Sequence, residues 1–166
     1  MLSYILAVLC AVLVLGTDQL TKYLVSTGFT LGEHREAVKG IIELTYIHNR
    51  GGAWGFLYGY TYILVPLTLL VMAACIFFLV KHGKKSRLLF WSVTLVLSGG
   101  LGNMIDRIFR GGNVVDFISL EFFPSFPVFN IADCAIVVGT GLLLLYFLID
   151  SVREAKKEKE NTENDG

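Results

Sequence analysis

The sequence has few residues that could form a disulfide framework, a zinc site or a basic surface for nucleic acid. It contains three cysteines and three histidines in 166 residues, and its formal net charge is zero. Cys10, Cys75 and Cys134 lie in apolar segments without a CxxC motif, so they are expected to pack as small hydrophobic side chains. Metal ligation by Cys134, beside Asp133, is the weaker interpretation. We therefore expect no metal, no cofactor and no nucleic-acid partner.

Aspartate is also scarce before the C-terminal tail, and the few aspartates that occur there are not in ordinary polar loops. The chain is 54% hydrophobic with a mean hydropathy of +0.64, above the roughly 45–50% apolar content of a soluble domain. An ionised carboxylate within a bilayer costs at least a few kcal/mol, so it usually has a function. The aspartates before Asp150 are Asp18, Asp106, Asp116 and Asp133.

Four apolar segments are long enough to cross a bilayer as helices, which takes roughly 20 residues. The first lacks a basic n-region and a small-x-small cleavage site, so we expect a retained span and not a cleaved signal peptide. We predict an all-α membrane protein with one domain over residues 1–152, followed by a charged tail, 153–166, that frays into disorder. The predicted spans cover about residues 2–25, 58–80, 88–105 and 128–149.

The distribution of basic residues predicts the orientation of these spans. The loop between the second and third spans carries Lys81, Lys84, Lys85 and Arg87. Four more basic residues lie in the tail, which is on the same side of the membrane in a four-span chain. We therefore expect both termini in the cytoplasm.

The first outer loop, residues 26–57, is too long to be a simple connection. Residues 41–47 within it are rich in β-branched and aromatic side chains, which is typical of a strand. The sequence thus predicts a small extracytoplasmic β element beside the four spans. Asp116 is expected in the second outer loop.

The polar residues of all four spans converge on the outer face of the membrane in this topology. Randomly placed structural polar residues would be divided between both faces. Asp133 is expected about a turn and a half inside the fourth helix, roughly 7–8 Å beyond Val128 at 1.5 Å per residue. The converging residues are Asp18, Lys22, Asn49, Asn103, Asp106, Arg107, Asp116, Asn130 and Asp133.

Helical spacing predicts which of the charged residues share a face. Asp18 and Lys22 are four apart and can pair, as a structural or a substrate-orienting ion pair. Asp106 with Arg107 is interpreted as a buried pair that braces the loops. Gly99 lies on the Asp106 face of the third helix, where it would let a neighbouring helix approach closely.

The asparagines and the remaining aspartates have both structural and functional interpretations. Asn103 and Asn130 could cap or cross-link helices, or they could bind and position a substrate. Asn49 could be only a turn residue. Asp116 and Asp133, if they meet, form an acid/base pair able to activate water, and the alternative for Asp133 is an interhelical hydrogen bond.

Five sequence blocks together resemble the lipoprotein signal peptidase family, signal peptidase II of bacteria. They run in order from the first span to the fourth, and only Gly52 and Gly100 depart from the expected pattern, which has alanine at both positions. The blocks are DQLTK at 18–22, NRGGAWG at 49–55, GGLGNMIDR at 99–107, VVDF at 114–117 and FNIAD at 129–133.

This resemblance implies a bacterial membrane aspartic endopeptidase that needs no cofactor. Its substrates would be prolipoproteins with a diacylglyceryl cysteine, cut on the amino side of that cysteine. Asp116 and Asp133 match the family's catalytic dyad. The other polar positions, which shape the site or contact substrate, are Asp18, Lys22, Asn49, Asn103, Asp106, Arg107 and Asn130.

The alternative from another class is a small proton-coupled transporter or binding subunit, because membrane carboxylates also serve as proton relays. Such a protein should have polar residues through the full depth of the bilayer. In this sequence the inner halves of the spans are apolar and without acidic residues. This pattern favours the peptidase.

Overall fold

Four long helices and a small sheet make up the part of the chain that the structure, a computed structural model, describes: residues 2–83 and 86–164. The helices are α1 (Leu2–Gly28), α2 (Thr61–His82), α3 (Arg87–Phe109) and α4 (Ile131–Asn164). The strands are β1 (His34–Val38), β2 (Ile42–Asn49) and β3 (Val114–Leu120). All four helices are long and apolar enough to cross a membrane. The predicted four-span fold with a small β element is confirmed.

Helix α3 is the centre of the bundle. In its most apolar 18-residue stretch 56% of the residues are buried, whereas the share is 6–17% in the other helices. The helices α1, α2 and α4 all pack on it. Glycines permit the close approach of α4: a Cβ at Gly99 would collide with the carbonyl oxygen of Ala132, and one at Gly139 would lie 2.8 Å from that of Ser92. Helices α3 and α4 are therefore packed closely against each other.

The strands form an antiparallel sheet in the order β1-β2-β3, packed on the end of α1. Val25 of α1 forms a buried cluster with Tyr46, Val115 and Phe117 of the sheet. In the β2–β3 register, Asp116 lies opposite Ile47. The sheet thus fixes the position of Asp116 relative to the helices.

Strand β3 corrects the prediction that Asp116 lies in a loop, and β1 was not predicted either. The four residues 114–117 are all buried, so the segment has no alternation of apolar and polar side chains. A short, fully buried apolar run cannot be assigned to a strand by periodicity. The predicted strand at 41–47 corresponds to β2.

The start of α4 differs from the predicted position near residue 128. Phe129 uses its backbone to pair with β3: its N–H donates to the Ile118 carbonyl at 3.0 Å, and its carbonyl accepts from the Ile118 N–H at 2.8 Å. The helix therefore begins only at Ile131, and Asp133 lies in its first turn, not a turn and a half inside.

The other helix ends also differ from the expected ones. Most differ by a few residues, and the difference is larger at the C-terminal end of α4. Helix α1 continues to Gly28, α2 begins at Thr61, and α3 continues to Phe109. Helix α4 continues as far as Asn164, through the charged tail that was expected to fray.

Candidate active site

Asp133 is held by a reciprocal cap at the start of α4. Its backbone N–H donates to Asn130 Oδ1 at 2.9 Å, and its Oδ2 accepts from the Asn130 backbone N–H at 3.2 Å. Such a capping box satisfies two of the free N–H groups at a helix N-terminus. Asp18 of α1 satisfies another, because its Oδ1 accepts from the Ala132 N–H at 2.9 Å. The cap residue Asn130 and Asp18 of α1 thereby fix the first turn of α4.

Asp116 is 1% exposed and is brought to Asp133 through a shared partner, Asn130. The Asn130 side-chain amide donates to Asp116 Oδ1 at 2.6 Å. On the other side, Asn49 Nδ2 donates to Asp116 Oδ2 at 3.0 Å. Asn130 thus binds both aspartates, one through its side-chain amide and one through the cap of α4.

The orientation of the Asn103 amide is set by a buried lysine. Lys22 Nζ, which can only donate, lies 2.9 Å from Asn103 Oδ1. The Asn103 NH₂ group must therefore point the other way, and it donates to Asp133 Oδ1 at 2.7 Å. A cation on α1 in this way determines which hydrogen bond Asp133 receives.

The same logic fixes the amides of Asn49 and Asn130. The Gly51 N–H donates to Asn49 Oδ1 at 2.8 Å, as the Asp133 N–H does to Asn130 Oδ1. With their oxygens occupied by backbone donors, both amides can only present N–H groups to Asp116. Every amide around the two carboxyls is consequently oriented as a donor.

The electrostatic environment of Asp116 favours its protonated form. Burial, followed by the nearby charge of Asp133, raises the pKa of Asp116 from 3.8 to about 7, against the lowering effect of the Asn49 and Asn130 hydrogen bonds. Among the described residues, no lysine, arginine or histidine lies within 4.0 Å of either carboxyl of the pair. Asp133 is only half-buried, so the pair is open to a ligand on that side.

Directly behind this pair lies a closed network of ions. Lys22 Nζ lies 2.9 Å from Asp18 Oδ2 and 3.0 Å from Asp106 Oδ2, and all three side chains are 0% exposed. Asp106 also accepts from the Val115 N–H at 3.1 Å. The network therefore joins α1, α3 and β3 beneath the aspartate pair.

The predicted bracing pair of Asp106 with Arg107 is wrong. Asp106 pairs instead with Lys22 and with Arg110, whose Nε lies 3.1 Å from Asp106 Oδ1. Adjacent residues on a helix point about 100° apart, whereas residues four apart share a face. The spacing between Asp106 and Arg110 is the signal in the sequence that could have identified one of these two partners.

Arg107 connects α3 to the loop that follows β2. Its Nη2 donates to the Gly51 carbonyl at 3.0 Å and its Nη1 to the Asn103 carbonyl at 3.5 Å. Within the described ranges its buried Nε has no hydrogen-bond partner. Further along this loop, Trp54 contacts Phe126 with ring centroids 5.8 Å apart. The loop and the segment before α4 thus meet in an aromatic rim.

Gln19 is a network residue that sequence reasoning did not single out. Its Nε2 lies 3.1 Å from Asp18 Oδ2, 3.2 Å from Asp106 Oδ1 and 3.2 Å from the Gly102 carbonyl. No spacing rule predicts these contacts, since they depend on how close α1 and α3 lie. For the described residues, no three His, Cys, Asp or Glu side chains converge as a metal-binding group.

Comparisons with known proteins agree with this geometry. The chain is 41% identical over 146 residues to the lipoprotein signal peptidase of Bacillus pumilus, covering 87% of this chain and 91% of that protein. It is 38% identical over 156 residues to that of Enterococcus faecalis, covering 94% of each. Among solved structures, a bacterial membrane enzyme determined by the in meso method at 2.3 Å superposes with a TM-score of 0.81. That match has 34% sequence identity and covers 87% of this chain and 88% of the other.

Residues 10–149, which include all the polar positions described above, match the family described as signal peptidase (SPase) II. The chain is a multi-pass bacterial membrane protein with several apolar helices. It belongs to the signal peptidase II family, whose members are peptidases of the aspartic type.

Proposed function

We propose that Asp116 and Asp133 are the catalytic dyad with which this peptidase removes signal peptides from prolipoproteins. The observation that carries the proposal is their shared environment. Both carboxyls are joined through Asn130, both receive oriented amide donors, and neither has a cation at ion-pair distance among the described residues. Two carboxyls in such a site share one proton more readily than they both ionise.

The reaction requires one ionised and one protonated member of the dyad. The ionised carboxylate takes a proton from a water molecule as it attacks the scissile carbonyl carbon. The protonated member donates to the carbonyl oxygen, and a proton then passes to the leaving amine. The two groups titrate as a pair, so apparent pKa values measured by kinetics belong to the dyad.

The surrounding residues position the dyad and do not exchange protons with the substrate. Lys22, Asp18 and Asp106 orient Asn103 and the first turn of α4. Asn49 and Asn130 stabilise negative charge on Asp116 as it forms. Arg107 holds the loop carrying Trp54 against the site.

We infer that the substrate is a prolipoprotein whose cysteine carries a diacylglyceryl group, cut on the amino side of that cysteine. Two features support this inference. The dyad lies where the apolar helices end, so lipid chains could remain in the bilayer during cleavage. The loop that follows β2 exposes two aromatic side chains, Trp54 and Phe56, of a kind that favours the membrane interface. With basic residues at the opposite end of the bundle, this end is assigned to the extracytoplasmic face, with both termini cytoplasmic.

The transporter alternative is not supported by any observation. Away from the site, the buried polar side chains Ser92, Thr94 and Ser98 donate to carbonyls of their own helix. They offer no path for a proton across the membrane.

The direct test is the processing of a lipid-modified precursor by purified Asp116→Asn and Asp133→Asn variants. Each should cleave at least about 10³-fold more slowly, within the 10²–10⁴ range of general acid–base catalysis. Asp150→Asn is the matched control, because Asp150 contacts Tyr146 far from the site and should leave cleavage unchanged. Near-normal cleavage by either dyad variant would rule out the assignment.

A further inference from the structure

A continuous apolar groove opens to the lipid on the side of α3 away from the dyad. Helices α1 and α2 flank α3 with little direct contact between them. Two adjoining cavities, of about 360 and 300 Å³, fill this gap and share Tyr4, Leu79 and Phe90 in their walls. Leu101 lines the deep end, about 16 Å from Phe90 at 1.5 Å per residue.

The groove is separate from the proposed peptidase site. Leu101 in the groove and Asn103 beside Asp133 are two residues apart, which places them about 200° apart around α3. Tyr4, Gly83 and Phe90 at the mouth are all at the end of the bundle remote from the dyad. A ligand in the groove would not contact the reacting groups.

The shape and lining of the groove suit an acyl chain. Its two cavities, of about 360 and 300 Å³, adjoin along a length of about 16 Å, so the groove is long in proportion to its volume. The walls of the larger cavity are almost wholly apolar, and its polar members Thr94 and Ser98 already donate to carbonyls of their own helix. A flexible hydrocarbon chain suits such walls.

A cation stands where the head group of such a lipid would lie. Arg87 lines neither cavity, but it is three residues before Phe90, which places it about one turn beyond the mouth on the same side of α3. Arg87 is exposed and, among the described residues, forms no ion pair or side-chain hydrogen bond. A guanidinium binds phosphate through paired hydrogen bonds, which gives this mouth a preference for an anion.

We propose that this groove binds one anionic phospholipid from the leaflet remote from the dyad, with an acyl chain between α1 and α2 and its phosphate at Arg87. For two lipids with identical chains, the chain in the groove holds both equally and does not discriminate between them. Selectivity comes from the head group, at about 1 kcal/mol for one cation, which is about a fivefold preference.

Native mass spectrometry of the purified full chain tests this site. The protein is mixed in detergent with equal amounts of phosphatidylglycerol and phosphatidylcholine that have identical chains. We expect one lipid to be retained, with phosphatidylglycerol favoured about fivefold. Arg87→Gln should bring the preference close to one, and Arg153→Gln, an exposed cation of the tail, should leave it unchanged.

A second pair of variants tests the groove itself. Ala11→Phe fills it and should reduce retention of both lipids at least about fivefold. Val12→Phe, on an exposed position outside the groove wall, should bind as the parent protein does. Equal retention of the two lipids by the parent, an unchanged preference in Arg87→Gln, or undiminished retention in Ala11→Phe would overturn the proposal. No cleavage is measured, so these outcomes are independent of the peptidase assignment.

Discussion

Two groups of buried carboxylates lie side by side in this molecule and are neutralised in different ways. Asp18 and Asp106 share the ammonium group of Lys22 at 2.9 and 3.0 Å, with no exposure to solvent. Asp116 and Asp133 have only amide donors, from Asn49, Asn103 and Asn130. The carboxylates beside the cation are fully paired, whereas those beside amides are left with a charge that only a proton can balance.

This difference suits the two groups of carboxylates to different roles, one structural and one chemical. A buried carboxylate paired with a cation has its charge balanced within the protein, so it is suited to holding segments together. A buried carboxylate with neutral donors can exchange a proton near neutral pH, as the pKa of about 7 for Asp116 indicates. Asn103 connects the two groups, because it accepts from Lys22 and donates to Asp133.

The largest effect on stability is expected from removing the cation of the closed network. Lys22→Met keeps the length of the side chain but leaves buried Asp18 without a cation and Asp106 with Arg110 alone, at a cost of about 3–5 kcal/mol. Thermal unfolding of the purified protein in one detergent would measure the loss. Lys156→Met is the matched control: it breaks another i,i+4 pair, but that pair is 78% and 60% exposed and should contribute at most about 1 kcal/mol. Equal melting temperatures for Lys22→Met and the parent would contradict this role of the network.

A smaller effect is expected where α3 and α4 bring the two groups together. The added Cβ in Gly99→Ala would collide with the Ala132 carbonyl and lie 2.8 Å from Ile136 Cγ1, so overpacking should cost about 1–3 kcal/mol. Cleavage should slow as well, since Ala132 precedes Asp133. Gly16→Ala has open space around its Cβ and should not be destabilised. Melting temperatures and processing rates of the two variants would check both points, and similar behaviour would disprove the role of close packing at Gly99.

The smallest effect concerns the pH dependence of the amide-bound pair. We expect cleavage to decline as pH rises through about 7, because the proposed dyad of Asp116 and Asp133 would then lose its shared proton. The Asn49 hydrogen bond lowers the pKa of Asp116, so Asn49→Ala should raise it and move this decline to higher pH. A net hydrogen bond of about 1 kcal/mol corresponds to about 0.7 pH unit. Profiles of kcat/KM from pH 5 to 9 would detect the shift, and a displacement towards lower pH would contradict the donor role of Asn49.

The features that the sequence could predict are those set by local patterns, such as apolar runs and helical spacing. The four spans were predictable because apolar runs of this length rarely form anything except membrane-spanning helices. The convergence of the polar residues followed from topology alone. The ion pair between Asp18 and Lys22 followed from helical spacing, and that between Asp106 and Arg110 could have done so.

Contacts that depend on tertiary packing could not be predicted. Strand β3 has no period-two pattern because residues 114–117 are buried on both faces. The start of α4 is delayed by the pairing of Phe129 with Ile118, two residues that are eleven positions apart. The partners of Gln19 and the orientation of the three amides depend on distances between helices that no local pattern encodes.

The most direct test of whether Asp116 and Asp133 act together is a double-mutant cycle. Processing rates of Asp116→Asn, Asp133→Asn and the combined variant are measured on one lipid-modified precursor. Residues that share one proton act as a unit, so their losses are strongly non-additive. We predict that the combined variant is about as slow as the slower single variant. Losses that multiply in the combined variant would contradict the claim that the two aspartates work as one group.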